Sequence, residues 1–195
     1  MFIDYVTLLL LNMTAGLIVL AGFVIGGLHH PGAKQWCPPL LVVGAVAVAG
    51  GLHVSLTWPL PGPYNMIFGE MSVMLGALWL GAALAIGRGW SLMPLTLVAV
   101  PAGLAAILLG AGLSSYGLTQ KPWLSAVGFV LTGLTGVLSP VVVYLRRYGW
   151  VRGFAAGLVL LAAAVWAVTA GGAYWAHLDP EGNVATWAPV FMRGP

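Results

Sequence analysis

The side chains that could do chemistry in this chain are few enough to name: His29, His30, His53 and His177, with the acids Asp4, Glu70, Asp179 and Glu181. Two of them flank the segment GLHVSLTWPLPGPYNMIFGE, residues 51–70. His53 lies inside an apolar run, three prolines follow within five residues, and Glu70 opens the next apolar run. Ionisable groups in such surroundings are expensive and mark ligand, metal or proton sites. An imidazole and a carboxylate can hydrogen-bond the ring oxygens of a quinone. A b-type haem needs axial ligands, which His53 and His177 would supply if they reached the same depth from different helices. His53, Glu70 and His177 also form a two-histidine, one-carboxylate set of the kind that holds copper, zinc or iron.

The elements that must position these groups follow from composition. The chain has 195 residues, 61% of them hydrophobic and 6% charged, with a mean hydropathy of +1.00. That is too little polar surface to cover a water-soluble globule. Continuous Leu/Ala/Val/Gly runs without in/out alternation indicate helices rather than a barrel. Six spans are expected, at 5–28, 39–57, 69–87, 92–112, 125–145 and 153–176. The expected fold is all-α: an integral membrane bundle of six transmembrane helices with short loops over residues 1–176, and an outer tail over 177–195. The N-terminal run lacks a basic leader and a small-residue cleavage site, so it reads as the first helix. A single cysteine, Cys37, leaves no intrachain disulfide and no multi-cysteine metal site.

Alternating the spans gathers Lys34, Arg88, Arg146, Arg147 and Arg152 on one side, against Lys121 and Arg193 on the other. The five-to-two split makes the first side cytoplasmic and both termini extracytoplasmic, in the cytoplasmic (inner) membrane of a prokaryote. A net charge of +3 therefore reads as topology and not as a nucleic-acid surface. Seven of the nine tryptophans fall near span ends or beyond them; only Trp79 and Trp166 lie well inside spans.

Within that frame Ala45, Ala49 and His53 share a face at spacing four, which predicts that the His53 ring looks across small residues toward a neighbouring helix. Glu70 and Met74 share another. Pro59, Pro61 and Pro63 each fix φ and delete an N–H, so WPLPGPYN is expected to be a stiff extended lid. The lid, Trp58 to Asn65 with Tyr64 and Asn65 as its polar groups, would cap one pocket shared by His53 and Glu70.

The six spans together with GLHVSLTWPLPGPYNMIFGE make the chain resemble a family of small polytopic membrane proteins of bacteria and archaea known only as a domain of unknown function. The resemblance implies fold and membrane location and carries no catalytic residues. From the residues themselves, the leading expectation is a redox subunit holding haem b or a quinone near the outer leaflet. A second is an outer-facing metal site of His53, Glu70 and His177. A third is an assembly subunit without chemistry of its own. Lipid, other membrane subunits or further copies of the chain are the expected partners.

Overall fold

The structure, a computed structural model, describes residues 5–178. It consists of α1 (Tyr5–Gly26), a 3₁₀ segment (Pro31–Trp36) that leads into α2 (Cys37–Thr57), a π-helical turn (Asn65–Glu70) that leads into α3 (Met71–Arg88), then α4 (Met93–Ser115), α5 (Pro122–Tyr144) and α6 (Gly149–Leu178). No strand occurs among the described residues. All six helices, counted with their leading segments, are long and apolar enough to cross a membrane.

Helix starts follow proline chemistry. α2, α4 and α5 each carry proline in the first turn, where a missing N–H is one of the unpaired donors in any case. That is why α2 begins two residues before the expected 39 and α5 three before the expected 125. Pro101 and Pro140 lie inside α4 and α5, which continue through them. α6 runs past both expected ends. Its first turn is tied back to the preceding loop, with the Arg152 guanidinium donating to the Arg146 carbonyl at 2.6 Å.

The helices close most tightly as three pairs, α2–α3, α4–α5 and α1–α6. In α2–α3 a Cβ on Gly51 would stand 2.8 Å from the Gly69 carbonyl, and one on Gly76 equally close to that of Gly44. In α4–α5, a Cβ on Gly136 would stand 2.7 Å from the Ala99 carbonyl. Backbones this close admit no side chain between them, so apolar helices gain dispersion contact along their whole length. α1–α6 uses alanine instead: Ala155, Ala156, Ala162 and Ala163 are buried with Met13 and Leu17. Asn12 then ties α1 to α2 by donating to the Val43 carbonyl at 2.9 Å. Among sequential neighbours α3 and α4 touch least.

Candidate functional site

α2 turns its glycines toward α3, and this decides where His53 goes. His53 is two residues past Gly51, about 200° round the helix, so it stands away from the α2–α3 contact. Ala45, Ala49 and His53 are all exposed. The stripe expected to face a neighbouring helix is instead on the outer perimeter, and the His53 ring lies 5.1 Å from that of Tyr5. Glu70 ends the π-helical turn, beside Gly69, whose backbone meets Val54 and Ser55 of α2. One residue further round, Glu70 is exposed, whereas Met74 lines an interior chamber. His177 is half-buried in the last turn of α6. Among the described residues no three His, Cys, Asp or Glu side chains gather where they could hold one metal ion. Asp4, Asp179, Glu181, Trp187 and Arg193 lie outside the described residues.

The proline loop is braced from within. Trp58, 53% exposed, caps α2 in the left-handed region (φ 50°), the one described non-glycine residue with positive φ. Asn65 is fully buried: its Oδ1 accepts from the Leu60 N–H at 2.8 Å, and its amide donates to the Leu60 and Gly62 carbonyls. Three prolines remove donors but leave carbonyls to be satisfied, and one asparagine satisfies two of them. Tyr64 is buried as well, and its hydroxyl donates to the Leu118 carbonyl in the α4–α5 loop. Burial pushes its phenol above the ordinary value of 10.0, which keeps that donor protonated. The loop is thus latched to the α4–α5 loop at the same end of the bundle. Neither His53 nor Glu70 shares its interior.

The chamber lies elsewhere, between the three helix pairs. It is a cavity of about 210 Å³ to which all six helices contribute. Its wall extends along α5 from Phe129 to Val143, a length of about 21 Å at 1.5 Å per residue, and along α1 from Met13 to Val24, with Leu28 just beyond the end of that helix. The polar side chains on it are Thr96, Thr132, Thr135 and Ser139, with the Trp79 indole. Each hydroxyl donates to a carbonyl of its own helix: Thr96 to Met93 at 2.6 Å, Thr132 to Gly128 at 2.8 Å, Thr135 to Thr132 and Ser139 to Gly136 at 2.7 Å. The Trp166 indole donates to the Thr132 hydroxyl at 2.9 Å. Trp79 Nε1 is buried without a partner. Chemically, the wall is apolar.

The two ends of the chamber differ. On the side of the proline loop it stops at Phe129 and Trp166, whose rings meet edge to face at 5.2 Å. Ile67, Phe68 and Leu113 pack into the same core there. On the other side it reaches Leu28, Leu92 and Val143, at the end of the bundle that carries Arg88, Arg146 and Arg147. The site read from the residues thus lies at one end of the molecule and the chamber extends toward the other. Two residues signalled it: Trp79 and Trp166, the tryptophans placed away from any interface.

Fold and chamber define the class: over the described residues, a six-helix apolar bundle with an interior cavity. The chain belongs to the family described as "Protein of unknown function (DUF981)", whose model matches residues 1–180. No curated protein and no solved structure matches the chain significantly.

Proposed function

We propose that the protein is a membrane-embedded binding subunit that takes up the apolar chain of a long-chain amphiphile, the quinones with their isoprenoid tails among them. The observation that carries this reading is the chamber wall, on which every hydroxyl is already bonded to its own helix. A water needs two to four polar partners, whereas an apolar cavity stays dry and accepts apolar ligands. A chain in the chamber restores dispersion contacts that the wall atoms otherwise lack. A polar solute finds one unpartnered donor there, Trp79 Nε1, too little to replace its hydration.

The quinone half of the redox expectation is the half the chamber supports, since no histidine is among its lining residues. Entry fits the side of the bundle, between α3 and α4, where the helices touch least. In this reading the bundle lies in a prokaryotic cytoplasmic membrane, with Lys34, Arg88, Arg146, Arg147 and Arg152 inside and the proline loop and both termini outside. The ligand is handed to or received from other membrane subunits or a second copy.

The test is chemical. Protein purified in neutral detergent is extracted with organic solvent and its lipids are identified by mass spectrometry. We expect a long-chain lipid in stoichiometric amount. Ala102→Phe, which adds a ring at the chamber wall, is expected to lose most of it while keeping the helical circular dichroism of the parent. Equal lipid in both proteins overturns the reading.

A further inference from the structure

A second, open recess of about 360 Å³ adjoins the chamber at its basic end, with His29, Ser91, Tyr144, Arg146 and Arg147 of its lining exposed. Val143 lines both, and His29, Met93 and Tyr144 of the second recess follow directly on Leu28, Leu92 and Val143 of the chamber wall. Ser91, Arg146 and Arg147 complete it. An apolar recess about 21 Å long therefore ends at a polar recess carrying two guanidinium groups.

The turn that presents them is braced. The Arg146 carbonyl accepts from Arg152, the Tyr148 N–H donates to the Leu145 carbonyl at 2.9 Å, and the Arg147 guanidinium lies 4.6 Å over the Tyr148 ring. Charge is uncompensated at this end among the described residues. The one described acid, Glu70, sits at the start of α3, about 27 Å from Arg88 at its end. Basic residues that serve only to orient a bundle need to be in the right loops; they need not converge on the mouth of its interior cavity.

We infer that this second recess binds a phosphate-class anionic headgroup on the amphiphile whose chain occupies the chamber. Arg146 and Arg147 supply the charge, and His29, Ser91 and Tyr144 supply hydrogen bonds. The guanidinium fork matches two phosphate oxygens at once. The inference rests on the chain-binding reading above and adds the chemistry of the head. Single-chain prenyl phosphates and diacyl phospholipids both offer that chemistry.

Four probes separate the possibilities: geranylgeraniol, geranylgeranyl phosphate, dioleoylglycerol and dioleoyl phosphatidic acid, each titrated into the full chain in neutral detergent and followed by native mass spectrometry. At least one phosphate-bearing probe is expected to bind about tenfold or more tightly than its neutral counterpart, the difference corresponding to about 1.4 kcal/mol. The pair with the larger preference identifies the source as single-chain or diacyl. The preference should shrink with added salt and vanish in the double variant Arg146→Gln, Arg147→Gln, whose binding of the neutral probe is unchanged. Arg146→Lys with Arg147→Lys keeps the orienting charge but not the fork, and is expected to retain a reduced preference. If neutral and phosphorylated probes bind alike, the headgroup inference is overturned and the chain-binding reading stands. If no probe binds, both fall.

Discussion

Gly16 of α1 is the notch that seats Trp79, and through Trp79 it borders the chamber. A Cβ at position 16 would lie within 2.6 Å of three carbons of the indole's six-membered ring. Ordinary contact begins at 3.4 Å, so the carbon with most room must retreat by 0.8 Å and the other two by more. Trp79 is 3% exposed, and the open side available to it is the chamber that it lines. Two effects oppose each other in Gly16→Ala. Alanine in a helix interior gains about 0.5–1 kcal/mol over glycine, while overpacking a tight site costs about 1–3 kcal/mol. The clash is with a large ring and not with a flexible chain end, so the cost wins. We expect a net loss of about 1–2 kcal/mol, a fall of roughly 2–8 °C in melting temperature for a chain of this size, together with weaker retention of chain lipid. Thermal unfolding in detergent followed by circular dichroism measures the first, and solvent extraction the second. Trp79→Phe shortens the ring, so in the double variant the two effects should be non-additive, with Gly16→Ala then costing little. A Gly16→Ala protein as stable and as lipid-loaded as the parent, or a Trp79→Phe background that gives no relief, would refute the notch.

Asn65→Ala strips three bonds from the proline loop; Gly62 is exposed and its carbonyl regains water, so the two Leu60 groups, at about 1–3 kcal/mol for each left unpaired, set an expected loss of about 2–6 kcal/mol, read as a lower melting temperature and faster proteolysis between α2 and α3. Tyr64 contributes in the opposite sense to a carboxylate. Its folded-state pKa is raised above 10.0, so its contribution is complete below pH 10 and lost as pH rises through the folded value. The stability difference between the parent and Tyr64→Phe should therefore narrow in alkali, and a constant difference to pH 12 would count against the latch. For topology, Cys37, whose thiol donates to the Ala83 carbonyl at 3.3 Å, should resist a membrane-impermeant maleimide in intact cells, whereas a cysteine introduced at Thr119 in a Cys37→Ser background should react; the reverse pattern inverts the bundle.

Helix number and sequence were legible because each apolar run is bounded by a proline, glycine or basic cluster, and errors were confined to a few residues at the ends. The direction of α2 was not. Its composition is apolar all round, so no polar stripe marks the outside, and it carries two small-residue faces. Ala45 and Ala49 suggested one contact surface; Gly44 and Gly51 make the real one, because a Cβ there would stand only 3.1 Å from the Gly76 carbonyl and 2.8 Å from that of Gly69. His53 inherits the error and ends on the perimeter. Asn65 was singled out as a polar group of the lid; in the structure it satisfies the carbonyls of its own loop. The chamber has little local signal, since it is the space left where three well-closed pairs fail to meet. Only side chains out of place for any other role, Trp79 and Trp166 away from the interfaces and hydroxyls on successive turns of α5, point to it.

The aromatic stop at Phe129 and Trp166 has a consequence for sidedness. An amphiphile held in a recess closed at one end has its tail tip against the stop and its polar end at the rim, and it cannot turn over inside. It departs with the orientation it had on arrival, into the leaflet it came from. On the proposed reading the protein holds or presents an amphiphile without inverting it, and net translocation of a headgroup across the bilayer would require a different molecule.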